Sequence, residues 1–232
     1  MKIIFLHHAG GDQYAFKKFK NLIDQNGWEA VYFDLPGHGD RFTEPLIDDI
    51  HSIVEETYNS LSHHFIDDYA FFGTSMGTLI AYLLAHKLSD NQKVLPKHLF
   101  LASRRCPDSH LRFPRVAHLP EEDFWEKVRI YGGCPPALIK HKELREVYEP
   151  LLRADFRALE DYQPMKRNLL DIPTTILLGK QDLITFDEMR TWQNHFKPEI
   201  DILEFEGGHF FCYLHAEEVI KVMKNKLIGS EP

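Results

Sequence analysis

Short apolar runs alternate with longer helical patterns along the chain, and the rhythm predicts a layered α/β domain. The runs at Lys2–Leu6, Glu29–Asp34, Tyr69–Gly73, His98–Ala102, Thr174–Gly179 and Asp201–Glu206 are short and rich in Ile, Val, Phe and Leu. They barely alternate with polar residues, as expected for strands of a sheet covered on both faces. Helical spacing stands between them, near Tyr14–Gln25, Leu46–His64, Ser75–Leu88, Phe186–Phe196 and Ala216–Lys226. Strand and helix in repeated alternation predict a mostly parallel sheet with right-handed crossovers.

One connection breaks this rhythm. No strand pattern occurs between about residues 103 and 172, a stretch holding prolines at 107, 114, 120, 135, 136, 150 and 164. Leu119-Pro120-Glu121-Glu122-Asp123-Phe124 reads as a helix start with acids in its first turn. Leu144, Val147, Tyr148, Leu151, Leu152, Phe156 and Leu159 form an apolar stripe at helical spacing, interrupted by Pro150. Two readings are open: plain packing against the sheet, or a helical lid over an active site, since long insertions between core elements often carry function.

Length and composition fit one domain spanning 1–232 with a full core. A net charge of −8 gives no basic face for general nucleic-acid binding, though it leaves room for a local basic patch. The three cysteines, Cys106, Cys134 and Cys212, are too few and too scattered for a disulfide framework or a zinc site. Only four apolar residues follow Met1-Lys2 before His7-His8, far short of a signal-peptide core, and no apolar run approaches membrane-spanning length. A cytoplasmic protein without membrane contact is expected.

The most informative run is Phe71-Phe72-Gly73-Thr74-Ser75-Met76-Gly77. An apolar strand, then Gly-x-Ser-x-Gly, then a helix is the nucleophile elbow of α/β-hydrolase folds. The sharp turn exposes the serine, and a Cβ at either glycine would clash. Serine is a weak nucleophile until a base takes its proton and a third group orients the base. In this architecture the order is Ser, then Asp or Glu, then His, each just past the carboxyl end of a strand. His209 follows the last strand in Glu206-Gly207-Gly208-His209. His215 falls at the start of the final helix and is read as a surface or capping residue. Asp182 follows the run Thr174–Gly179, whereas Asp187 belongs to the next helix's first turn and Asp201 precedes a strand. Ser75, Asp182 and His209 are therefore the expected catalytic residues. An oxyanion hole needs two N–H groups. Met76, after the nucleophile, and Ala9, in the loop His7-His8-Ala9-Gly10-Gly11, are the expected donors. No second ligand pair stands at a spacing that would make His7 and His8 a metal site.

With these residues in place, the chain resembles the type II thioesterases of nonribosomal peptide and polyketide synthesis. The likeness rests on His8-Ala9-Gly10-Gly11, Leu35-Pro36-Gly37-His38-Gly39-Asp40-Arg41, Gly73-Thr74-Ser75-Met76-Gly77 and Gly207-Gly208-His209-Phe210-Phe211. In the long connection it rests on Ser103-Arg104-Arg105-Cys106-Pro107, His118-Leu119-Pro120, Gly132-Gly133-Cys134-Pro135 and Leu152-Arg153-Ala154-Asp155-Phe156. Thr74 stands where the family usually has His, His7 replaces a frequent proline, and His38 stands where Arg is common. The resemblance implies a stand-alone monomeric hydrolase that clears acyl groups from the phosphopantetheine arm of carrier proteins. It implies no cofactor beyond the arm on the substrate. A medium-chain fatty-acyl thioesterase, a general carboxylesterase, an acyltransferase or a non-catalytic receptor would share the same fold. Carrier proteins are usually acidic, so an encounter with this acidic chain needs a basic face. Arg104, Arg105, Arg112 and Arg115 cluster at the start of the connection and are candidates to meet the carrier or the arm's phosphate. The other reading is that they pair with local carboxylates, Asp155 among them if it is buried.

Overall fold

Ile3 and Phe5 turn to one face of the first strand and Ile4 and Leu6 to the other, and all four are buried. The same two-sided burial recurs along the chain in a computed structural model, which describes residues 1–109, 115–132, 134 and 136–228. In chain order its regular elements begin with β1 (Lys2–Leu6), α1 (Lys17–Gln25), β2 (Glu29–Tyr32), α2 (Ile50–Leu61), β3 (Tyr69–Thr74), α3 (Met76–Asp90) and β4 (Leu99–Ala102). They continue with α4 (Glu121–Tyr131), α5 (Pro136–Lys140), α6 (Lys142–Asp161), β5 (Thr174–Gly179), α7 (Phe186–Arg190), β6 (Asp201–Phe205), α8 (Phe211–Leu214) and α9 (Ala216–Ile228).

The six strands form one sheet in the order β2-β1-β3-β4-β5-β6, every pair parallel. Ile4, Leu6, Phe71, Leu101, Ile176 and Leu178 pack against α2, α3 and the Trp192 segment. Ile3, Phe5, Phe72, Phe100 and Leu177 pack against α1 and α9 on the opposite face. Helix α3 is buried from Met76 to His86 on every side, which is why its sequence shows no polar stripe. The α/β-hydrolase expectation therefore holds. Strand β2 ends two residues early because the Asp34 carboxylate leaves the sheet to accept from Gln13 N (2.7 Å) and Asp40 N (2.9 Å).

Among the described residues of the long connection there are helices and no strand, as the sequence predicts. Pro150 does not interrupt the stripe: α6 runs through it. The stripe divides between two partners. Leu151 and Leu152 join Phe124, Trp125, Val128 and Leu138 in a small core belonging to the connection itself. Ala158 and Leu159 reach the main core.

Three histidines serve as neutral core side chains. His7, His86 and His98 are at least nine-tenths buried. Burial, reinforced respectively by His38, Arg167 and Lys226, pushes each down to about 4. The unfolded chain binds these protons at about pH 6.5 and the folded chain does not. The contribution of these three to stability is thus complete above pH 6.5 and falls as pH drops toward 4. Each histidine contributes on the order of a few kcal/mol to that fall. Thermal melts between pH 7.5 and 4.5 should show a steep loss of Tm below about pH 6.5; a flat profile contradicts this account.

Candidate active site

The elbow forms where β3 meets α3. Ser75 sits at φ 54° and ψ −111°, a left-handed conformation that strains a residue with a Cβ. It is held there by Ser75 N donating to Ala102 O (2.9 Å) and Thr78 N donating to Ser75 O (3.1 Å). The Thr78 hydroxyl lies within hydrogen-bond reach of the Gly73 and Ala102 carbonyls (2.9 and 2.8 Å). A side chain at Gly73 would collide with the Gly77 carbonyl, and one at Gly77 with the Leu6 carbonyl. Both glycines are therefore needed for β1, β3 and α3 to approach this closely.

The sheet brings the three expected catalytic side chains together from positions far apart in sequence. His209 Nε2 lies 3.0 Å from Ser75 Oγ, and His209 Nδ1 lies 3.0 Å from Asp182 Oδ2. The Asp182 side chain is shielded from solvent, and its second oxygen accepts from Ile184 N (3.3 Å). An anionic carboxylate can only accept, so Nδ1 carries the proton and Nε2 is free to take one from Ser75. His215 is elsewhere, bonded to Glu218 beside α9, and Asp187 lies in the first turn of α7.

Sequence reasoning missed one support. Ser103, immediately after β4, also has positive φ (56°), and its hydroxyl donates to His209 O (2.6 Å). It thereby braces the loop that carries His209. A serine after a strand gives no sequence signal for this task.

The loop after β1 is anchored from several sides. His7 Nδ1–H donates to His8 O (2.9 Å), leaving Nε2 to accept from Leu35 N (3.4 Å). His8 Nδ1 lies 2.8 Å from the Tyr213 hydroxyl, and burial pushes His8 down to about 3. Gly10 N donates to Asp155 Oδ2 at 2.6 Å. Asp155, on α6, is fully buried, and its partner is not an arginine. The same oxygen lies 3.0 Å from His38 Nε2, while His38 Nδ1 faces Pro36 O (3.0 Å). Two acceptors facing both ring nitrogens call for an imidazolium. Burial opposes that charge, but Asp155 and Pro36 outweigh burial and raise His38 above its ordinary value. Helix α6 is thus tied directly to the loop that contains Ala9.

A cavity of about 970 Å³ opens on Ser75 and His209. The connection supplies apolar wall through Val128, Leu138, Leu152 and Phe156. The arginines expected on a docking face occupy different environments. Arg104 lines the cavity. Arg105 Nε bonds Glu188 (2.9 Å), and Arg115 pairs with Glu160 and Asp161 while staying half exposed. Arg112 lies outside the described residues.

A grouping not foreseen from the cysteine count joins Cys106, Asp108 and His195. Cys106 Sγ and His195 Nε2 approach the same Asp108 oxygen at 2.9 and 3.0 Å. Ligands of a tetrahedral zinc stand about 3.5 Å apart. The contacts are those of hydrogen bonds, and burial first, then Asp108, raises the Cys106 thiol.

The model of the thioesterase domain family matches residues 1–227. The chain belongs to the thioesterase family. It is 32% identical to the probable anguibactin biosynthesis thioesterase AngT of Vibrio anguillarum, over 93% of this chain and 87% of that protein. It is 33% identical to the human medium-chain S-acyl fatty acid synthase thioesterase, over 98% of this chain and 86% of that one. The solved RedJ thioesterase of the prodiginine pathway in Streptomyces coelicolor superposes with a TM-score of 0.90 at 28% identity, covering 98% of this chain and 90% of that one. The resemblance to type II thioesterases read from the motifs agrees with these matches. Among the described residues, no helix of this thioesterase is long and apolar enough to cross a membrane.

Proposed function

We propose that this thioesterase hydrolyses acyl groups from the phosphopantetheine arm of carrier proteins, through an acyl-enzyme on Ser75. The observation that carries the reading is His209 bridging Ser75 and the shielded Asp182 carboxylate at the mouth of a largely apolar cavity. Ser75 Oγ attacks the thioester carbonyl while His209 Nε2 takes its proton, and Asp182 stabilises the resulting imidazolium. The pantetheine sulfur leaves as thiolate; a thiol of pKa about 8.5 needs little proton help. The departing thiolate takes up the proton held by His209, which restores the neutral base. Water, deprotonated by His209, then attacks the Ser75 ester, and His209 returns that proton to Ser75 Oγ as the free acid is released.

The Ala9 and Met76 N–H groups receive the oxyanion, each contributing about 3 kcal/mol to the transition state. Met76 stands at the N-terminus of α3, where unpaired N–H groups favour negative charge. Ala9 lies between two residues that are fixed from outside the loop, His8 by Tyr213 and Gly10 by Asp155. Helices α4, α5 and α6 form the lid, within an insertion spanning about 103–172. The protein acts as a cytoplasmic monomer, with no metal or cofactor of its own and no nucleic-acid or membrane partner.

Arg112 and Arg115 are the arginines assigned to meet an acidic carrier: Arg115 stays half exposed although it pairs with Glu160 and Asp161, whereas Arg105 is held by Glu188 with little exposure and Arg104 lines the cavity. Arg112→Glu and Arg115→Glu should each raise KM for a carrier-bound acyl group about five- to tenfold. KM for the same acyl group on a small thiol should stay unchanged; equal effects on both substrates sink this assignment.

The likeness to the human medium-chain enzyme supports a second reading, a fatty-acyl thioesterase. A panel of acyl groups, each offered on a carrier protein and on a small thiol, separates the two. The first reading predicts higher kcat/KM on the carrier across short and varied acyl groups. Preference for medium chains regardless of the thiol supports the second and overturns the first.

A further inference from the structure

Arg104 is the residue after Ser103, whose hydroxyl holds the His209 carbonyl, and it is among the residues lining the cavity that opens on Ser75. The side chain is partly buried, and its Nε is shielded from solvent with no hydrogen-bond partner among the described residues. Its electrostatic neighbours are Tyr162, Arg105 and Cys106, and no carboxylate is among them. The segment 110–114 carries no acidic side chain either. Burial without a counter-charge pushes Arg104 down to about 10. A cation removed from water recovers its lost hydration best from an anion, and the guanidinium fork matches a carboxylate with two parallel hydrogen bonds. The cavity is thus mostly apolar and, among the described residues, holds an unpaired positive site at Arg104.

We infer that Arg104 is an anion-binding residue of the acyl chamber, placed to receive the free carboxylate of a dicarboxylic acyl group. The inference rests on the proposed Ser75 chemistry. The other anion on such a substrate is the phosphate of the pantetheine arm. That phosphate is separated from the reacting sulfur by the whole arm, whereas Arg104 adjoins the residue that braces His209, so the acyl group is the favoured source.

The test compares wild type, Arg104→Met and Arg104→Lys on succinyl and butyryl thioesters of N-acetylcysteamine, which carries no phosphate. Butyryl pantetheine and butyryl phosphopantetheine complete the set. Arg104→Met should lower kcat/KM for the succinyl substrate about 10- to 100-fold and leave the butyryl substrates within about threefold. Arg104→Lys should recover part of the loss. Equal losses on succinyl and butyryl substrates overturn the inference, as does an unchanged succinyl rate. A loss confined to butyryl phosphopantetheine also overturns it, by assigning the anion to the arm. Should the Met variant fail to fold, wild-type inhibition decides: succinate must inhibit roughly tenfold more strongly than butyrate, and equal inhibition is contrary. Ser75→Ala is run alongside. Turnover there near the wild-type rate sinks the chemistry, whereas a Ser75→Ala slowed by about 10⁴-fold with a charge-blind Arg104→Met sinks this inference alone.

Discussion

Ser75→Ala should lower kcat by about 10⁴-fold or more on every thioester, carrier-bound or small. The loss is large because Ser75, His209 and Asp182 act as one unit; His209 and Asp182 have no task in acyl transfer once the hydroxyl is gone. What survives is the oxyanion hole acting on water, which no longer forms an ester with the protein. The variant should fold, since alanine retains the Cβ that native packing already accommodates, and an unchanged circular dichroism spectrum checks this. Hydrolysis at the wild-type rate by a folded Ser75→Ala would falsify the role of Ser75.

Asp155→Ala should be the most destabilising single change outside the core hydrophobics, costing about 3 kcal/mol near pH 6.5. It removes the one acceptor shared by Gly10 N and His38 Nε2 and leaves a buried imidazole without its counter-ion. For a chain of this size that is a Tm lower by about 6–12 °C. The pH dependence has a definite sign. His38 is raised in the folded protein, so the pair's contribution is complete below the ordinary histidine value and is lost as pH rises through the raised one. His7, whose ring is 4.9 Å from His38, and buried Asp34 also face this site, and both remain in the variant. The gap in Tm between wild type and Asp155→Ala should therefore narrow on going from pH 6.5 to 9. Asp155→Leu combined with His38→Phe should be more stable than Asp155→Ala alone, because replacing both charges by apolar groups leaves none unpaired. A gap that widens with pH contradicts the ion pair.

These expectations differ in how far the sequence could carry them. The strands were legible because burial on both faces leaves unbroken apolar runs, and β1 and β5 match their predicted bounds to the residue. The elbow was legible because close approach of β1, β3 and α3 demands glycine at two fixed offsets from Ser75. Chain order and strand ends are enough to single out Asp182 and His209 from the sequence. The Asp155–His38 link was not legible, since the two residues are 117 positions apart and meet only when α6 docks. The sequence instead offers the arginines at 104, 105, 112 and 115 as partners for a buried Asp155, and His38 lies outside that cluster. The arginine cluster misled for a related reason. Arg104 and Arg105 both line the cavity, and what separates them is pairing: Arg105 bonds Glu188, a partner 83 positions away that the sequence could not indicate. Pro150 gave a false break: proline removes one helix hydrogen bond, but the apolar contacts of Leu151 and Leu152 hold α6 continuous across it.

The central claim is that Ser75 takes an acyl group from a carrier-bound arm. Rapid quenching of the protein with an acylated carrier protein, followed by peptide mass spectrometry, tests it most directly. The account predicts a transient acyl adduct on the peptide containing Ser75, formed at the rate of carrier deacylation and absent in Ser75→Ala. Deacylation of the carrier with no adduct at any time, or with the adduct on another residue, contradicts it.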